Sequence, residues 1–235
     1  MINKWFLFIL TFMMTTCTNA AFQASYIKFD FLPDANARKA VWANAIDKGF
    51  IVKDWKGVRE YPFLKTSFKC LWSDSFLYFL FVAPFDKITV DSNLVSDKSD
   101  DCGNIWNYDV VELFISDNSR IKTYFEFVIS PLGQHIDISH TKNWLSQRKS
   151  LASYDSGWQS AVRLDEQNKL WITEFRIPLK SISTSENKSE KVFKFNAYRC
   201  SGRDTDRAYL AMYATHTPMP NFHVPERFDV LILLK

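Results

Sequence analysis

Residue types that usually carry chemistry are scarce in this chain: 235 residues include four histidines and four cysteines. No Gly-x-Ser-x-Gly elbow, His-Glu-x-x-His pair or glycine-rich phosphate loop accompanies His135, His140, His216 or His223. Nucleophilic and metal-dependent hydrolysis therefore lack their side-chain sets. Glu112 and Glu126 fall on adjacent expected strands, as a glycosidase pair would, but any two carboxylates in a sandwich satisfy that much. The chain reads as a non-enzyme.

An excess of one charge is missing too. Without the first twenty residues, 28 basic side chains stand against 26 acidic ones, a net of +2, and no basic run interleaves with aromatics. Nucleic acid and charge-held anionic polymers are thereby excluded as natural partners, and a neutral ligand held by shape and hydrogen bonds fits better. One long apolar run exists, Trp5 to Met14, after Lys4 and before Thr15-Thr-Cys-Thr-Asn-Ala-Ala21. It is too short to anchor in a bilayer, and its flanks are those of a secretory signal peptide. We expect residues 1–20 to be removed and 21–235 to form one domain, secreted or periplasmic. Cys17 offers lipidation as the alternative and as the sole route to a membrane, although Thr16 is bulkier than the residue usual before a lipidated cysteine. Cys70, Cys102 and Cys200 then remain, an odd set with no zinc spacing, readable as buried thiols or as one bridge.

Glycine (six) and proline (eight) are also few, so turns rest on Asp, Asn and Ser. Aromatics reach 16% and suit strands. Ten segments carry the strand signature: 66–72, 76–83, 109–116, 123–130, 134–139, 159–164, 170–177, 192–200, 209–214 and 228–234. Alternation places Phe125, Phe127 and Ile129 opposite Tyr124, Glu126 and Val128, and Trp171, Thr173 and Phe175 opposite Ile172, Glu174 and Arg176. Strands with one wet face behave this way, and the pattern predicts an all-β, antiparallel β-sandwich. Asn36 to Lys48, ending at Gly49, predicts a short N-terminal helix, with Trp42 as a plug over the sandwich. Residues 94–105 and 181–191 read as surface loops.

The stretch Asn104-Ile-Trp-Asn-Tyr-Asp-Val-Val-Glu-Leu-Phe-Ile-Ser116 carries the most functional information. Trp106 at a loop mouth offers a ring face for the C–H face of a pyranose, and Asp109 and Glu112 offer acceptors for its hydroxyls. The competing reading makes Trp106 core and the two acids solvated.

This stretch belongs to a wider set: Trp42, Leu71-Trp-Ser-Asp-Ser-Phe-Leu-Tyr78, Ile105 to Ile115, Tyr124 to Gly133, Gly157-Trp158, Trp171 to Pro178, Phe195-Asn-Ala-Tyr-Arg199 and Pro220 to Phe228. In order and spacing it resembles the family 9-like carbohydrate-binding modules, within the DOMON-like sandwiches. The resemblance implies aromatic rings that clamp a terminal sugar of a polysaccharide or oligosaccharide while polar groups read its hydroxyls. Carried over by position, Trp106 is one wall and Glu112 the acceptor, with Glu126, Asn196 and Arg199 on neighbouring motif strands. An Arg199–Glu126 ion pair pinning strands is the structural alternative for those two. Leu210-Ala-Met212-Tyr213 stands where relatives often read Leu-Ala-Trp, so the second wall is missing, or Phe222 or Trp144 replaces it. Cofactors are not expected. Structural calcium, known in relatives, would need converging oxygens that the acidic residues at 97–101 and 117–118 do not display in their spacing. Non-covalent haem on Met212 or His223 is the alternative from another functional class, and a purely protein-binding surface domain is a third.

Overall fold

A computed structural model describes residues 21–46, 48–93, 104–117, 123–142, 148–151, 153–183 and 192–235. The expectations for the leader, Cys17, Asp97–Asp101, Cys102, Asn118 and Trp144 fall outside the described residues. The strands are β1 (Phe22–Tyr26), β2 (Gly49–Ile51), β3 (Lys53–Asp54), β4 (Thr66–Trp72), β5 (Phe76–Pro84), β6 (Val110–Ser116) and β7 (Thr123–Ile129). They continue as β8 (His135–Lys142), β9 (Arg148–Leu151), β10 (Gln159–Asp165), β11 (Leu170–Pro178), β12 (Val192–Ser201), β13 (Ala208–Ala211) and β14 (Asp229–Leu234).

One hydrogen-bonded path runs β10-β11-β5-β4-β1-β14-β12-β6-β7-β8-β9 and curls so that its two halves face each other. The predicted sandwich forms, with one departure from antiparallel order. β1 runs parallel to both β14 and β4 and joins the halves. Between them lies an aromatic core: Phe68, Phe79, Phe81 and Phe175 from one half meet Val111, Leu113, Phe127 and Phe195 from the other. Phe68 stacks on Phe195 across the gap with ring centroids 5.8 Å apart. Each such buried ring contributes about 1.5–3 kcal/mol by leaving water.

The outer faces of both halves are covered as well, unlike the wet faces predicted from alternation. Residues 27–45 close over β4, β5 and β11, where Ile27, Val41 and Trp42 pack on Leu71, Tyr78, Leu80 and Ile172. Phe222 and Phe228 close over β6, β7, β8 and β12. Glu174 and Glu126, which alternation assigns to solvent, are therefore buried.

The predicted helix at 36–48 is a single 3-10 turn, Ala40–Asn44. Trp42 within it is 1% exposed and donates its Nε1–H to Glu174 Oε1 at 2.9 Å. Its place in tertiary packing decides the conformation here more than helix propensity does. Cys70 and Cys200 are free, buried and in different clusters, and burial drives both thiol pKa values well up.

Candidate functional site

The outer face of β6, β7, β8 and β12 gathers the chain's polar aromatic chemistry. Register sets the rows: Tyr198 pairs with Glu112 and Asn196 with Phe114 across β12–β6. Phe114 pairs with Glu126 across β6–β7, and Tyr124 with His140 across β7–β8. Alternation then turns Glu112, Tyr124, Glu126, His140 and Tyr198 to one side and Val111, Leu113, Phe125 and Phe127 to the main core.

Three features define this side. Glu126 Oε2 lies 2.5 Å from His140 Nε2, both residues being nearly inaccessible. Glu112 is 3% exposed and receives a weak bond from Cys200 Sγ at 3.7 Å. Burial, reinforced by repulsion from Glu126, pushes its carboxyl pKa up to about 8. Above them the segment 222–228 forms a roof: Phe222 stacks on Tyr198 with centroids 4.0 Å apart, and Phe228 meets Phe114 and Tyr124 edge-on. His223 completes it, its Nδ1 3.1 Å from Tyr124 Oη; burial lowers the imidazole pKa to about 4.

The rim is built by a turn, Ile105–Asn107, that enters β6. Ile105 is buried and anchors it, while Trp106 stays 37% exposed. Arg207 holds this turn by donating to the carbonyls of Trp106, Tyr108 and Gly202. The sequence reading did not single out Arg207, because its role rests on backbone carbonyls far away in the chain. An open depression of about 390 Å³ is lined by Met212, Tyr213, His216, Glu226, Arg227 and Asp229 among others.

Residues 34–235 match the family model described as carbohydrate family 9 binding domain-like. The chain belongs to this family. Among solved structures, one from Bacteroides uniformis ATCC 8492, named as a proposed carbohydrate-binding protein, aligns with a TM-score of 0.70 at 18% identity. It covers 92% of this chain and 100% of that one. A family 9 carbohydrate-binding module from Caldicellulosiruptor kristjanssonii, solved with cellotriose and with glucose, aligns with a TM-score of 0.56 at 14% identity in both cases. Each alignment covers 90% of this chain, and 93% and 95% of those chains respectively. At these identities the likeness is one of fold. No curated protein matches the sequence.

Of the family motif positions singled out from sequence, Trp106, Glu112 and Glu126 belong to this face and its rim, and the other three do structural work. Asp109 is 2% exposed; Oδ1 accepts from Gly202 N at 2.6 Å and Oδ2 from Thr89 N at 3.1 Å. It pins the loop to which it was expected to add a free acceptor. Asn196 is fully buried, its amide donating to Tyr213 O and its Oδ1 accepting from Tyr213 N and Ala197 N. Arg199 points the other way, into the main sandwich. It donates to Leu64 O (2.9 Å), Thr66 Oγ1 (3.0 Å) and Pro84 O (2.7 Å) and makes no ion pair with Glu126, whose partner is His140. At the position where the resemblance placed a second wall, Met212 packs against the main core where a Cβ on Gly49 would stand. Tyr213 also packs against that core, since β13 ends at Ala211 and alternation no longer applies. Phe222 is committed to Tyr198. Of the two residues weighed from sequence as alternative haem ligands, Met212 packs against the main core and His223 against Phe114 on the outer face.

Proposed function

We propose that this chain is a non-catalytic carbohydrate-binding domain, working outside the cytoplasm, that meets its sugar at the Trp106 rim. Family membership over residues 34–235 carries this reading. The geometry supports it: Trp106 is the large aromatic at this rim left partly open, and Arg207 holds its turn without consuming the ring. An indole face fits the apolar face of a pyranose. Glu112 lies beneath the roof segment on the same outer face, where burial favours its protonated form, so the Trp106 ring is the first contact offered to the sugar. The ligand class is a neutral glucan, in keeping with the near-zero charge and with the cellotriose and glucose carried by the Caldicellulosiruptor kristjanssonii neighbour.

Calorimetric titration with cellotriose and a panel of other neutral glycans tests the reading. Trp106→Ala should weaken the wild-type ligand about 10- to 100-fold, as loss of a central aromatic contact does, while leaving the melting temperature nearly unchanged. Unchanged affinity in a folded Trp106→Ala variant would refute the rim as the site.

A further inference from the structure

Beneath the roof, three side chains from three separate elements converge: Glu126 on β7, His140 on β8 and His223 from the segment after β13. One ligand atom from each lies within 4.8 Å of the others. We propose that Glu126, His140 and His223 bind a divalent transition-metal ion of the zinc type.

The donor set fits such an ion. Two imidazoles and one carboxylate suit zinc, cobalt, nickel or copper, whereas calcium takes six or more oxygens. A tetrahedral ion with bonds of about 2.0–2.2 Å spaces its ligands roughly 3.3 Å apart, so the His140–Glu126 pair opens by about 0.8 Å and the widest pair closes by up to about 1.5 Å, a shift of side chains rather than of strands. The surroundings supply a second, independent argument. Ligating histidines nearly always engage their other ring nitrogen, which fixes tautomer and ring plane. Here His140 Nδ1 lies 2.9 Å from Ser150 Oγ, and His223 Nδ1 lies 3.1 Å from Tyr124 Oη. Both rings are thus held by Nδ1, with the Nε2 atoms left for the metal. His140 Nε2 already faces Glu126 Oε2 at 2.5 Å, and the ion would lie between these two atoms. Ring contacts hold them further: His140 stacks on Tyr124 with centroids 4.8 Å apart, and His223 packs tilted against Phe114 at 5.1 Å.

Three protein ligands leave a tetrahedral ion one position for water. The ion would staple the roof, through His223, to two strands of the rigid sheet. The ion site lies beneath the roof on the same outer face as the Trp106 rim, and its test needs no glycan.

Untagged chain, stripped with a chelator, should take up one zinc ion on calorimetric titration and give tetrahedral visible bands with cobalt. At a free zinc concentration a hundred times Kd, its melting temperature should rise by roughly 5–10 °C. His223→Ala should abolish stoichiometric uptake. Tyr124→Phe, which keeps the ring and removes the hydroxyl that orients His223, should weaken zinc about 10- to 100-fold and thus decides the matter if His223→Ala fails to fold. Calcium should produce neither heat of binding nor thermal shift at the same concentration. The proposal is overturned if the folded wild type binds no zinc at one equivalent, if a folded His223→Ala variant or Tyr124→Phe binds zinc as tightly as wild type, or if calcium binds equally well.

Discussion

Arg199 invites replacement by methionine, which keeps much of its length while removing charge and donors. The side chain is 1% exposed and faces three oxygen acceptors, those of Leu64, Thr66 and Pro84, at 2.7–3.0 Å. Burial lowers its pKa from 12.5 to about 10, which corresponds to a penalty on the charged form of about 3 kcal/mol. Hydrogen bonds from a charged donor return about 1.5–3 kcal/mol each, and truncation also leaves buried carbonyls unsatisfied. The balance favours the arginine by roughly 2–6 kcal/mol, so Arg199→Met should lower the melting temperature by roughly 5–20 °C. Glycan affinity of the folded fraction should stay at the wild-type value, because the guanidinium ties residues 64–66 and the end of β5 to β12 on the far side of the sheet from Glu112. Thermal denaturation and calorimetry on one preparation give both numbers. A variant that melts within about 2 °C of wild type yet loses glycan binding would refute this reasoning and return Arg199 to the ligand.

Two further substitutions probe the covered faces. Trp42→Phe removes the indole donor to Glu174 Oε1 and part of a buried ring, and should cost about 2–4 kcal/mol in urea unfolding without altering glycan affinity; a cost below about 0.5 kcal/mol would contradict its place in the packing. Glu112→Gln acts on pH dependence. With its pKa raised from 4.5 to about 8, the folded state holds this proton more tightly than the unfolded chain, so this contribution to stability is full below about pH 4.5 and is lost as pH rises towards 8. The variant should lack that decline and exceed wild type at pH 9, measured with chelator present; an unchanged slope would place the titration elsewhere.

All ten segments read from aromatic and β-branched content between polar punctuation have strand counterparts, because such runs are a local signal. β1, β2, β3 and β9 escaped that reading. The last three are two to four residues long, too short for such a run to register, and β1 adjoins the expected leader. Solvent-facing assignments failed for Glu126 and Glu174 because alternation reports two faces and not what covers them; the covers come from residues 27–45 and 222–228, remote in sequence. Trp106 and Glu112 were legible as a motif, six residues apart across a turn into a strand. Asp109, Asn196 and Arg199 share motif strands with them, yet their partners are mostly backbone groups supplied by distant loops, which no spacing encodes. His140 and His223, 83 positions apart, meet only after the roof closes.

Nitrogen-15 NMR of the tryptophan indoles addresses the central claim most directly, with the Trp106 signal assigned by its loss in Trp106→Phe. Titration with the glycan that binds the chain should shift the Trp106 indole resonance in proportion to saturation, while those of the buried Trp42 and Trp171 stay in place. Saturable binding that leaves Trp106 unmoved would contradict the account.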